Sequence, residues 1–161
     1  RSLIGGFPSR PRSPLPSCGT GRCCMPPESA RVAEARPWFT KAAHDLRAAE
    51  LLLAADPPLL GEVAFHCQQA AEKAMKGYLS WHDIPFGKTH DLAAIGGLCV
   101  GHDASLEPFC RRAERLSVYA WVFRYPGDPG EPTREETEAA FHLAQEICGA
   151  LLSRLPPELR A

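Results

Sequence analysis

Apolar residues recur along the chain at steps of three and four, which is the period of an α-helix with one buried face. The first such run covers about residues 35–55, with its stripe at Trp38, Ala42, Leu46, Ala49 and Leu53. Pro37 is placed in the first turn, where a proline is tolerated. Asp56-Pro57-Pro58 then ends the helix, because the consecutive prolines cannot continue it.

Three further long runs and one short run repeat this pattern. They predict helices over about 60–82, 90–98, 106–124 and 134–155. Thr89 is a suitable N-cap for the short helix, and Thr133 with Glu136 has the spacing of a capping box before the last one. Short connections favour antiparallel neighbours. The sequence therefore predicts an all-α, up-and-down antiparallel bundle of four long helices and one short helix.

The first 24 residues have a different composition from the rest. They contain four Arg, four Pro and four Gly but no acidic residue, and they show no apolar period. We expect 1–24 to be a disordered leader and 25–161 to be the folded domain, with Met25 as its natural start. Untranslated upstream sequence and an Arg/Ser-rich targeting peptide are the two interpretations of the leader.

The charge of the chain changes when the leader is set aside. The whole chain has a formal charge of −1, but residues 25–161 carry 14 basic and 19 acidic residues, a charge of −5. Non-specific nucleic-acid binding depends on Lys and Arg displacing counterions from phosphate. An acidic domain of this kind is therefore expected to contact nucleic acid only locally.

The second helix carries a polar stripe beside its apolar one. Its members are again spaced by three and four: Glu62, His66, Gln69, Lys73 and Lys76. A histidine ring and an amide offer both donors and acceptors, and lysine offers a charge that binds phosphate. His66, Gln69 and Lys73 are therefore candidates for holding a nucleotide or a partner. A plain solvated face with Glu/Lys pairs is the alternative.

Two shorter segments add candidate residues. Lys88 and His90 flank Thr89 at a helix N-terminus, where free backbone N–H groups attract anions, although simple capping explains the segment equally well. Arg124 and Tyr125 end the fourth helix before a Pro/Gly-rich loop. Arg124 could bind phosphate through two parallel hydrogen bonds, or it could interact only with the last carbonyl groups of its helix.

Metal, cofactor and membrane roles have little basis in the sequence. Outside the leader, the cysteines are widely spaced, and none forms a CxxC or Cys/His cluster: Cys67, Cys99, Cys110 and Cys148. We expect them to pack as small apolar side chains and to remain reduced in the cytoplasm. No metal site, no cofactor and no membrane span is predicted.

Four motifs together resemble the HEPN domain. These are Trp38 with Asp45-Leu46, the stretch FHCQQAAEKAMKGYL at 65–79, KTHDL at 88–92 and RYP at 124–126. The resemblance implies a small α bundle that usually forms a homodimer. It also implies nucleotide binding, and in many members pairing with a minimal nucleotidyltransferase in a toxin–antitoxin-like module. A large subset of the family are metal-independent ribonucleases with an Arg, four to six residues, and then a His.

That ribonuclease motif is absent from this sequence. The positions that would hold the histidine after Arg124 are Pro129, Gly130 and Glu131, and no other Arg in the chain meets the spacing. Ribonuclease chemistry needs a group that transfers a proton at the attacking hydroxyl. We therefore favour a non-catalytic module that binds a nucleotide or a partner. A ribonuclease with a non-standard site, pairing Arg124 with His90 or His66, and a purely structural oligomerisation bundle are the alternatives.

Overall fold

A computed structural model describes residues 27–121 and 131–160, and every regular element in these two stretches is helical. The α-helices are α1 (Glu28–Leu53), α2 (Leu60–Trp81), α3 (Leu92–His102), α4 (Glu107–Ala113) and α5 (Arg134–Leu152). Short 3-10 segments cover Ala104–Leu106, Glu114–Ala120 and Pro157–Leu159. The predicted all-α bundle is confirmed. The proposed leader, 1–24, lies outside the described residues.

Helix α2 is the central element of the bundle. It packs along α1 on one side and along α5 on the other, and it also contacts α3 and the 3-10 segment Glu114–Ala120. Small residues allow the close approach: a methyl group built on Gly77 would lie only 2.7 Å from the ring of Phe39 on α1. This packing buries fourteen of the 22 residues of α2, including several polar ones.

Helix α1 begins seven residues earlier than predicted. The stretch 28–34 contains no glycine or proline, and Glu28 in the first turn complements the helix dipole. Pro37 consequently lies inside the helix and not in its first turn. The buried face is also different from the predicted stripe, because Trp38, Leu46 and Leu53 are only partly buried. The buried positions are Ala35, Phe39, Ala42, Asp45 and Ala49.

The fourth predicted helix is not α-helical throughout. Only Glu107–Ala113 is α-helix, and Glu114–Ala120 continues it as 3-10 helix. The buried apolar positions Cys110, Ala113 and Leu116 are three residues apart. A helix with three residues per turn keeps positions at this spacing on one face. Residues 122–124 of the predicted helix lie outside the described part of the chain.

Local end signals predict some of the helix bounds correctly and others not. Helix α2 and the start of α5 match their predicted bounds, and the capping box is present, with Glu136 N donating to Thr133 Oγ1 at 3.2 Å. Helix α3 differs, because its N-cap is Asp91, whose carboxylate accepts from Ala93 N at 2.9 Å, and not Thr89. No helix within the described residues is long and apolar enough to cross a membrane.

Candidate functional site

Polar side chains enter the interior of the bundle along one side of α2. Gln68, Glu72 and Lys76 follow one another at steps of four and are exposed by only 0%, 4% and 6%. Side chains at this spacing lie above one another on one helix face. A buried charge is costly unless it is paired and hydrogen bonded, so the partners of these groups define the site.

The first cluster centres on Asp45, which α1 directs toward α2. His66 Nδ1 lies 3.0 Å from Asp45 Oδ1, and Lys73 Nζ donates to Asp45 Oδ2. The Asp45 side chain is 12% exposed, while those of His66 and Lys73 are 26% and 23% exposed. The Asp45 carboxylate therefore holds the side chains of His66 and Lys73 in place, and part of each remains at the surface.

The second cluster centres on Glu72. Lys76 Nζ donates to Glu72 Oε1 at 2.8 Å, and Gln68 Nε2 donates to Oε2 at 3.0 Å. His90 Nδ1 lies 3.1 Å from both carboxylate oxygens. Lys76 also donates to the carbonyl of Thr89 at 2.8 Å, which ties the segment before α3 to α2.

The surroundings of Glu72 favour its charged form. Burial alone would raise the pKa of this carboxyl group. The hydrogen bonds from Lys76 and Gln68, the charge of Lys76 and the hydrogen bond from His90 outweigh burial and lower the pKa below its ordinary value. Glu72 is thus an anion that accepts bonds from three side chains.

Gln69 lies between the two clusters on the surface of α2. Its amide donates to Gln68 Oε1 at 2.7 Å, so it is linked to the Glu72 cluster. On the other edge, the exposed ring of Trp121 meets the His90 ring edge to face, with ring centroids 5.8 Å apart. Trp121 is 60% exposed. The site is therefore a row of polar groups along α2 with an aromatic side chain at one border.

Two further rings lie near Lys76: Trp38 from α1 and Phe86 from the segment between α2 and α3. Trp38 and Phe86 pack edge to face at 5.7 Å, and Lys76 Nζ lies 5.9 Å and 6.0 Å from their ring centroids. A cation near an aromatic face gains electrostatic attraction when water is excluded. Trp38 thus supports the site, although it is not part of the buried stripe of α1.

The structure brings together four of the predicted site residues. His66, Gln69, Lys73 and His90 lie on or beside the same sector of α2. Lys88 is exposed and makes no hydrogen bond or ion pair with any residue that the structure describes. The predicted residues Arg124 and Tyr125 lie outside the described residues, which stop at Trp121 before resuming at 131.

Sequence reasoning missed the residues that hold the site together. Asp45 was noted only as part of a motif, and Gln68 and Glu72 were absent from the predicted stripe. The spacing of Gln68, Glu72 and Lys76, at i, i+4 and i+8, indicates that these three polar side chains share one helix face, and this pattern could have revealed the second cluster. No local signal reveals Asp45, because its partners are 21 and 28 residues away.

The hydrogen bonds define what the two histidines can do. With Nδ1 of each ring held by a carboxylate, Nε2 is left as the second hydrogen-bonding atom of the ring. The His90 side chain is 52% exposed, so its ring is open to a ligand. Within the two described stretches, no group of three His, Cys, Asp or Glu side chains could hold a metal ion.

Comparison with known proteins agrees with this architecture. The family model of the HEPN domain matches residues 35–155, so the chain belongs to the HEPN domain family. The fold also matches the crystal structure of TT1696 from Thermus thermophilus, with a TM-score of 0.61 and 31% sequence identity. That match covers 76% of this chain and 98% of TT1696. A search of curated proteins gives no significant match.

Proposed function

We propose that this HEPN protein is a non-catalytic binding module whose α2 site recognises a nucleotide or a protein partner. The observation that carries the proposal is the pair of clusters on α2, in which two buried carboxylates hold His66, Lys73 and His90, while Gln68 holds Gln69. Side chains fixed in advance lose little conformational entropy when they bind, which favours recognition by such a site.

Each residue has a role in this proposal. Lys73 uses one N–H for Asp45 and keeps donors for a phosphate oxygen, since an ammonium group has three. His66, Gln69 and His90 orient the ligand through their remaining hydrogen-bonding atoms. Lys88, Arg124 and Tyr125, the other residues predicted from the sequence, would add charge and a phenol. The internal pairing of Lys73 and Lys76 argues against strong, non-specific phosphate binding as the main interaction, in agreement with the charge of −5 for residues 25–161.

The proposed partners follow from the family. We propose that the chain forms a homodimer and pairs with a minimal nucleotidyltransferase in a toxin–antitoxin-like module. Sedimentation of the purified chain tests the dimer. Co-expression with the product of the adjacent reading frame, followed by co-purification, tests the pair; recovery of the two proteins separately would contradict it.

Calorimetric titration with a series of nucleotides tests the binding site. We expect saturable binding that His66→Ala weakens about tenfold, which corresponds to about 1.4 kcal/mol for a lost polar contact. His44→Ala is the matched control, because His44 is exposed on α1 beside Asp45. Absence of saturable binding for every nucleotide, together with failure of the co-purification, would refute the proposal.

A ribonuclease with a non-standard site is the second candidate. One observation favours it: Glu72 holds His90 Nδ1, which leaves Nε2 of this partly exposed ring as the nitrogen for a general base. The test is incubation with total tRNA in the absence of metal. Cleavage that is lost in both Arg124→Ala and His90→Ala but kept in His44→Ala would establish this candidate. Intact RNA with the unmodified chain would refute it.

A further inference from the structure

Two buried cysteines meet where α3 packs against α4. Cys99 lies on α3 and Cys110 on α4, and both are free thiols with exposures of 0% and 5%. The helices approach closely at this point, because a Cβ built on Gly96 would lie 3.1 Å from Cβ and 3.6 Å from Sγ of Cys110. Cys99 follows Gly96 by three residues, so it faces the same neighbour.

The two thiols differ in their surroundings, and the hydrogen bond that Cys99 donates goes to the carbonyl oxygen of Met75, 3.9 Å from its sulfur. The neighbouring Cys99 side chain lowers the pKa of Cys110, burial opposes this effect, and the charge of Arg154 adds to it. The neighbouring Cys110 side chain and burial raise the pKa of Cys99. Burial raises the pKa of Cys67 and of Cys148 to about 12. Cys110 is therefore the most thiolate-like of the four.

We propose that Cys99 and Cys110 form a dithiol site that hydrogen peroxide converts to a disulfide joining α3 to α4. In the first step, the Cys110 thiolate attacks a peroxide oxygen, the O–O bond breaks, and the leaving hydroxide takes a proton to become water. In the second step, Cys99 sulfur attacks Cys110 sulfur, the S–O bond breaks, and a second water leaves with the Cys99 proton. Two thiols lose two electrons in all, and one peroxide is reduced to two waters.

A disulfide between Cys99 and Cys110 would lie close in the chain to the segments that border the α2 site. Helix α3 begins just after His90, and α4 continues through Glu114–Ala120 to Trp121. His90 and Trp121 are in ring contact at the edge of the α2 site. A disulfide between Cys99 and Cys110 would join the two stretches of chain that carry these residues.

Peptide mapping of the full chain tests the proposal without any mutation. Trypsin releases 89–111, which contains both Cys99 and Cys110, whereas Cys67 and Cys148 fall in 48–73 and 135–154. After peroxide treatment of the folded protein, we expect 89–111 to lose two hydrogens and to regain them with dithiothreitol. The two control peptides should keep thiols that can be alkylated after unfolding.

Two variants test the order of attack. Cys99→Ser should leave Cys110 as a sulfenic acid that dimedone traps, and Cys110→Ser should leave Cys99 as a thiol. Equal trapping in both variants would overturn the assignment of the nucleophile. The proposal is also overturned if 89–111 keeps both thiols, if it is oxidised no faster than the control peptides, or if either cysteine is found linked to another peptide.

Discussion

Removing the charge of Glu72 should destabilise the fold more than any surface charge change. Glu72 and Lys76 have side-chain exposures of only 5% and 8%, so Glu72→Gln leaves a buried ammonium group without its counterion. Breaking a buried pair in this way typically costs about 3–5 kcal/mol. Lys76 keeps its bond to the Thr89 carbonyl, and glutamine keeps one acceptor, so we expect a value near the lower end, about 3 kcal/mol.

A matched control separates burial from charge. Glu107 and Arg111 form an ion pair with the same order and the same i, i+4 spacing, but their side chains are 56% and 75% exposed. Exposed pairs contribute about 0–1 kcal/mol, so Glu107→Gln should change stability by less than about 0.5 kcal/mol. Urea unfolding followed by far-ultraviolet circular dichroism gives both values under one set of conditions.

The double variant Glu72→Leu/Lys76→Met completes the test. Replacing both members of a buried pair with apolar side chains is often neutral or stabilising, so the double variant should be more stable than Glu72→Gln. A loss below about 1 kcal/mol for Glu72→Gln would show that water or rearrangement compensates the charge. A double variant as unstable as the single one would refute the reasoning that the unpaired ammonium is the cause.

Three further predictions concern packing, capping and pH. Gly77→Ala should lower the free energy of unfolding by about 1–3 kcal/mol, because the new methyl group would lie 2.7 Å from the Phe39 ring. Adding Phe39→Leu should recover part of that loss. An unchanged midpoint of thermal or urea unfolding would contradict the contact. Thr133→Ala removes a capping box and should cost about 1 kcal/mol, whereas Thr133→Ser should be nearly neutral. Burial, then the charges of His102 and Arg31, lowers the pKa of His82 to about 4 from an ordinary 6.5, so the unfolded chain binds the proton more readily between these values. The stability that His82 contributes is therefore fully present above about pH 6.5 and is lost as the pH drops toward 4. For this partly exposed ring we expect the free energy of unfolding to fall by about 1 kcal/mol between about pH 7 and pH 5. His82→Phe should flatten this pH dependence.

The positions of most helices could be predicted from the sequence because their signals are local. The bounds of α2 and the start of α5 depend on apolar spacing, a capping box and flanking prolines, all within a few residues of each other. The same local signals gave a wrong helix start for α1, because two of them conflict there. Pro37 suggested a helix start near residue 35, while the uninterrupted stretch from Glu28 extended α1 further.

Only part of the candidate site could be predicted from the sequence. His66, Gln69 and Lys73 could be placed on one helix sector from their spacing alone, and a charge run on that sector is equally compatible with a solvated face. What decides between a solvated face and an organised site is whether carboxylates approach it from elsewhere. Asp45 reaches the α2 sector from α1, and His90 reaches Glu72 from the segment before α3.

The sequence by itself determined the helical class of this protein, the main helix ends and its membership of the HEPN family, because these depend on short-range periodicity and on contiguous motifs. Only the tertiary structure decided which polar side chains are buried and with which partners. Helices α1 and α2 are in close contact at Gly77, and elsewhere along the same two helices Asp45 binds His66 and Lys73. Such pairings are set by packing between elements, which no spacing along one helix encodes.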